Sequence, residues 1–174
     1  MDILNLLCNP NGRIGPRDFW RGVILLVGAM IVLQVGGIYG GGVLSAAFGL
    51  LVWVMPYFYL CVFGKRLHDS GRTAWFYLLA LVAYFILTGI FSYVLNHLFA
   101  PSSLALQEEM EMLMRDGRWM DAFAYGPEIA KLQMIPTLLS LFATNGLIGY
   151  VMARLKSDPY ENQYGPPTET GPAL

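Results

Sequence analysis

The sequence predicts an all-α integral membrane protein with four transmembrane helices, both termini cytoplasmic, and an extra amphipathic helical loop between helices three and four. Three observations carry this. Residues 22–64 and 73–107 contain no Asp, Glu, Lys or Arg. Of the 174 residues, 56% are hydrophobic and 13% charged, whereas a soluble domain carries about a quarter charged residues. The basic residues also fall where an even number of spans would put them on one side of a bilayer. A chain of this size has too little interior to hide several apolar stretches of about 20 residues each.

Taken in order, Met1 to Asn9 lacks a basic leader and is too short for an apolar core followed by a cleavage site, so no cleaved targeting segment is expected there. Asn9 to Arg21 reads as a turn followed by an amphipathic helical entry, with Pro16 suited to a first turn because its missing N–H has no partner there anyway. Arg13, Arg17 and Arg21 recur every four residues and would share a helical face if the helix starts early enough. Phe19 and Trp20 follow in the place of interfacial aromatic anchors. The first span is drawn over about residues 20–40 and the second over about 43–63. Between them, Gly36, Gly37 and Gly40 to Gly42 supply enough helix-breaking residues to turn the chain. Cys8 is expected on the cytoplasmic side and Cys61 inside a span, which argues against a disulfide and for two small apolar fillers.

Residues 65–72, Lys-Arg-Leu-His-Asp-Ser-Gly-Arg, then read as a short charged turn at the water boundary, with Gly71 permitting the turn. Arg72 and the anchor Trp75 open the third span, about 74–97. The loop over 98–131 places Leu106, Met110, Leu113 and Met114 at helical spacing beside Glu108, Glu109 and Glu111. A second cluster, Trp119, Met120, Phe123 and Tyr125, precedes Gly126-Pro127. One or two amphipathic helices packed on protein are expected, since the acids disfavour anionic lipid; a methionine-rich partner surface is the functional alternative. The fourth span covers about 132–153, with Pro136 near its start. The tail from 154 to 174 is polar and turn-rich, able to fold back so that Asp158 and Glu161 meet the arginines.

Eight of the eleven basic residues (Arg13, Arg17, Arg21, Lys65, Arg66, Arg72, Arg154, Lys156) fall on one side of this arrangement. The long loop holds Arg115, Arg118 and Lys131 against six acids, so the positive-inside rule makes both termini cytoplasmic.

The adjacent His68 and Asp69 invite a catalytic or metal reading, but His97, the second of two histidines, is expected at the opposite membrane face. No nucleophile elbow and no phosphate-binding glycine loop occurs. His68 and Asp69 are therefore expected to be hydrogen-bonding partners in a tight turn, with no catalytic residues, metal or cofactor.

Three segments together resemble a bacterial family of small inner-membrane proteins, domain of unknown function 805. They are Gly12-Arg13 with Arg17-Asp18-Phe19-Trp20, then Arg66-Leu67-His68-Asp69-Ser70-Gly71-Arg72 with Trp75, and Asn162 to Pro166. Phe76 stands where the family often has a second Trp, and the loop from Pro101 to Lys131 is longer than its usual connection. The resemblance implies a bacterial inner-membrane location and no settled activity. Combined with the charge-derived topology, it predicts one cytoplasmic polar cluster of Arg13, Arg17, Arg66, His68, Asp69, Arg72 and Asn162.

The leading functional expectation is a non-enzymatic scaffold, assembly or envelope-maintenance component. Its partners would be the lipid bilayer, anionic headgroups at the polar cluster, and a protein partner or a second copy, with no nucleic acid. The alternative is a small transporter or channel subunit, against which the spans hold almost no ionisable residues; Gln34, Thr88, Ser92, Asn96 and His97 are the polar candidates. The third is a lipid-acting enzyme using His68 and Asp69.

Overall fold

Helix α2 (Pro16–Tyr39) begins where Pro16 follows Gly15 and ends at Gly40, and it carries the first long apolar stretch. Its start at Pro16 leaves Arg13 outside the helix, so the expected face shared by Arg13, Arg17 and Arg21 does not form. Arg21 instead pairs with Asp18 at 2.9 Å. In the computed structural model, which describes residues 2–168, α2 is preceded by a short helix α1 (Ile3–Cys8) that the sequence did not signal. Gly41 and Gly42, at φ of 68° and 45°, turn the chain into α3 (Gly42–Val52). Side chains other than glycine rarely adopt that left-handed region.

The expected single second span is two helices. Pro56 lacks an N–H, and its ring conflicts with the carbonyl one turn earlier. The chain therefore tightens at Trp53 and Val54 before α4 (Met55–Asp69) begins. The Tyr77 hydroxyl donates to the Pro56 carbonyl at 3.0 Å across the break. The second half runs past the expected end near residue 63 to Asp69. A short 3₁₀ turn (Ala74–Phe76) leads into α5 (Tyr77–Phe99). The expected amphipathic loop forms α6 (Pro101–Arg115), α7 (Trp119–Ala124) and α8 (Gly126–Leu132), and the chain returns through α9 (Met134–Ala153). Pro136 sits in the first turn of α9, where it needs no donor.

Among the described residues, four stretches are long and apolar enough to cross a membrane: Pro16–Tyr39, Gly42–Asp69, Ala74–Phe99 and Met134–Ala153. Of these, α9 is the most buried and α5 the least, and α5 packs chiefly on α9 and only lightly on α4. Hydroxyls join that pair: Thr88 to Thr144 at 3.3 Å and Ser92 to Ser140 at 3.1 Å. Such bonds hold helices together where no water competes. The apolar core concentrates where α2, α4 and α9 meet, around Phe19, Leu26, Val62, Phe63 and Met152.

Gly22 sets the approach of α2 to α4, because a Cβ there would lie 2.7 Å from Val62 Cγ1. Val62 is buried and cannot yield. Gly22→Ala is expected to destabilise by about 1–3 kcal/mol through overpacking. Gly28→Ala, which meets nothing within 4 Å, should be neutral. Melting of both variants in the same detergent checks the difference.

Candidate functional site

Residues 61–69 are all buried, so the charged run is a helix end, with the turn following it. Asp69 is the last residue of α4. Gly71, at φ 72°, closes the helix with two bonds, Arg72 N–H to the Leu67 carbonyl at 2.9 Å and Gly71 N–H to the His68 carbonyl at 3.1 Å. This left-handed glycine closure needs no Cβ at position 71. It leaves four polar side chains, Lys65, Arg66, His68 and Asp69, facing into protein at an apolar bundle's end.

Buried charges persist only when paired and fully hydrogen-bonded. Here most of the pairing comes from backbone carbonyls at and beyond helix ends, where the helical ladder runs out and an oxygen has a lone pair to spare. The Lys65 ammonium donates to the carbonyls of Asn5 and Leu6, at the end of α1. The Arg66 guanidinium donates to the carbonyls of Met152, Ala153 and Leu155, at the end of α9. A cation at a helix C-terminus also meets the favourable end of the helix dipole.

Arg13 does the same for the tail. One of its terminal nitrogens donates to the carbonyls of Tyr160 at 2.8 Å and Gly165 at 3.2 Å; the other donates to those of Asp158 at 2.6 Å and Asp69 at 3.3 Å. The Asp158 N–H returns a bond to the Asp69 carbonyl at 2.7 Å.

Asp69 is the shared counter-charge. Its Oδ1 accepts from Arg13 Nε at 3.3 Å and the Thr168 hydroxyl at 2.7 Å; its Oδ2 accepts from Arg66 at 2.5 Å and the Ser157 hydroxyl at 2.6 Å. One carboxylate therefore ties the entry segment, α4 and the tail together, and both oxygens are used.

His68 completes the joint. Its ring lies flat on Tyr164, centroids 3.7 Å apart and planes 6° from parallel, and its Nδ1 is 3.1 Å from the Gly12 carbonyl. That carbonyl assigns Nδ1 as the protonated nitrogen. Asn162 Nδ2 donates to the His68 carbonyl at 3.2 Å, and an isolated bridge between Asn162 and Gly165 shapes the tail turn.

Of the residues expected in one cluster, the structure brings together Arg13, Arg66, His68, Asp69 and Asn162. It does not bring in Arg17 or Arg72. Arg17 is exposed on the first turn of α2, because that helix points its basic side outward. Arg72 is exposed beyond the Gly71 turn, its guanidinium 6.0 Å from the Phe76 ring centre. Trp20, expected as an anchor, is half-buried with its ring edge against Gly149, whereas Trp75 is 78% exposed. The tail does fold back, but its backbone meets Arg13, while Glu161 is exposed and makes no ion pair among the described residues. Sequence reasoning missed Lys65, Ser157, Tyr164 and Thr168 as members. The spacing of Ser157 and Thr168 to Asp69 carries no local signal, whereas Tyr164 sits inside the Asn162 to Pro166 segment.

The Asp158 carboxylate accepts from the Tyr160 N–H at 3.1 Å and from Asn162 at 3.2 Å. The Tyr160 bond above all, then the Asn162 bond and the nearby Arg13 charge, hold its pKa below the ordinary 3.8. A lowered folded-state pKa means that the carboxylate's contribution to the closed tail is fully present above pH 3.8 and is lost as pH falls through the lower folded value. Pepsin cleavage of the tail is therefore expected to accelerate below that pH, with the acceleration blunted in Asp158→Asn.

A sequence profile described as "Protein of unknown function (DUF805)" matches residues 7–166. Two curated proteins, both titled "Uncharacterized protein YiiR", from Escherichia coli strain K12 and Escherichia coli O157:H7, are each 38% identical over 90 residues. That alignment covers 51% of this chain and 60% of each relative, so less than two thirds of their length is spanned. No solved structure matches.

Proposed function

The chain belongs to the DUF805 family of proteins of unknown function, and from its polar joint we propose that it is a non-enzymatic component of a bacterial inner membrane, acting as a scaffold, assembly or envelope-maintenance protein. The observation that carries this reading is the use of the buried donors: Arg13, Lys65 and Arg66 are spent on the chain's own carbonyls and on Asp69. A catalytic or ligand-binding cluster would keep donors aimed at open space. His68 is covered by Tyr164 on one face and bound to Gly12 at Nδ1, which supports a structural role for the histidine.

The docking role then passes from the buried cluster to its rim. Arg17, Arg72, Arg154 and Lys156 are exposed around the joint and make no ion pair among the described residues. By the positive-inside rule this end faces the cytoplasm. The rim would meet anionic headgroups, each charge contributing about 1 kcal/mol, or the acidic face of a partner protein. The hydroxyl pairs between α5 and α9 weigh against a transport path, because Thr88 and Ser92 are turned to Thr144 and Ser140.

The test replaces all four rim cations by Gln and, separately, His68 by Ala. The scaffold reading expects the rim variant to stay folded while losing its copurifying anionic lipid or stoichiometric partner, and His68→Ala to lose folded protein. A His68→Ala protein of normal stability whose lipid or cellular phenotype disappears would point to catalysis instead.

A further inference from the structure

The light packing of α5 on α4 leaves an apolar groove of about 270 Å³, lined among others by Trp53, Pro56, Tyr77, Leu81, Tyr84 and Phe85. It lies at the break between α3 and α4, and its walls come chiefly from the second and third stretches able to cross a membrane, with Met30 of the first and Ile148 of the fourth completing them. Two of the three tyrosine hydroxyls that border it are committed: Tyr59 donates to Asn145 Oδ1 at 2.8 Å and Tyr77 to the Pro56 carbonyl at 3.0 Å. A polar ligand would find almost nothing to bind. The volume falls just below the roughly 300–1,000 Å³ of small-molecule pockets, too little for a whole lipid and suited to part of one hydrocarbon chain. Left empty, the lining would forfeit its dispersion contacts on that side.

A charge precedes the α5 part of the groove's lining in the chain. Tyr77 lines the groove, Phe76 precedes Tyr77, and the exposed Arg72 guanidinium lies 6.0 Å from the Phe76 ring centre. Arg72 makes no ion pair among the described residues, and an arginine fork suits a phosphate diester. Trp75, three residues after Arg72, is 78% exposed, and indole rings favour the headgroup level of a bilayer. We propose that one phospholipid is a resident of this groove, with part of an acyl chain between α4 and α5 and its phosphate on Arg72. The proposal deepens the headgroup reading above at one of its four cations, and it adds a site that the rim alone does not contain.

The experiment purifies the full chain in mild detergent, adds phosphatidylglycerol at stoichiometric amounts, and counts retained lipid by native mass spectrometry. Wild type should hold one lipid through delipidating washes. Ala80 also lines the groove, so Ala80→Trp and the smaller Ala80→Leu, both filling it, should lose the lipid while keeping a cooperative melt; Arg72→Gln should weaken retention about fivefold. Equal retention by wild type and a folded groove-filled variant overturns the proposal. So does a groove-filled variant that changes oligomer mass with lipid retention unchanged, which would assign the groove to a second copy. Loss of lipid from the groove variants with the rim's partner retained, or the reverse, separates this proposal from the scaffold reading.

Discussion

Asp69→Ala is expected to remove most of the folded protein, and any that survives extraction should melt roughly 10–20 °C lower. The carboxylate is fully buried and accepts from Arg13, Arg66, Ser157 and Thr168. Deleting one partner of a buried ion pair leaves the others as uncompensated charges, a loss of about 3–5 kcal/mol. Here two guanidiniums lose the same counter-charge, so the upper end applies. Asp69→Asn should be milder at one oxygen and worse at the other, because its amide N–H₂ would face a donor. Melting in one detergent, with expression measured alongside, checks the order wild type, Asn, Ala.

The second large effect is expected at Arg66. Arg66→Met keeps the apolar stem but strips donors from the carbonyls of Met152, Ala153 and Leu155 and a partner from Asp69. The loss should again be about 3–5 kcal/mol. It should also be local in a way that Asp69→Ala is not: the last turn of α9 should fray, with the Arg154 N–H bonded to the Tyr150 carbonyl exchanging faster. Arg66→Lys restores the charge without the planar fork and should recover only part of the stability. Full recovery by Lys would mean that charge alone is what this position needs.

The helical architecture was legible because it depends on local chemistry. Uncharged runs of span length, a glycine turn at Gly41 and Gly42, and proline at the first turn of a helix are all written in adjacent residues. The break at Trp53 and Val54 was legible in principle from Pro56, yet the unbroken apolar run hid it. The run from Lys65 to Arg72 reads in the sequence as a short turn at the water boundary; the turn is present at Ser70 to Arg72, but Lys65 to Asp69 are the buried last turn of α4. Hydropathy averages treat Lys65, Arg66, His68 and Asp69 as a boundary with water, but it is the carbonyls at the ends of α1 and α9 that let these charges be buried. No local pattern announces that Lys65 will meet Asn5 or that Arg66 will meet Met152. The grouping of Arg13, Asp69 and Asn162 could be anticipated only by combining topology with the family's three segments.

The central claim is that the polar residues form a closed joint, satisfied within the chain, which pins the tail to the end of α4. Hydrogen exchange of residues 157–165 in detergent tests it most directly, because the Asp158 N–H is bonded to the Asp69 carbonyl and the Gly165 N–H to that of Asn162. The account predicts slow exchange across this segment in the wild-type protein and rapid exchange in Arg13→Gln, with the α5 and α9 amides unchanged. Tail amides that exchange as fast in the wild type as in Arg13→Gln would contradict it.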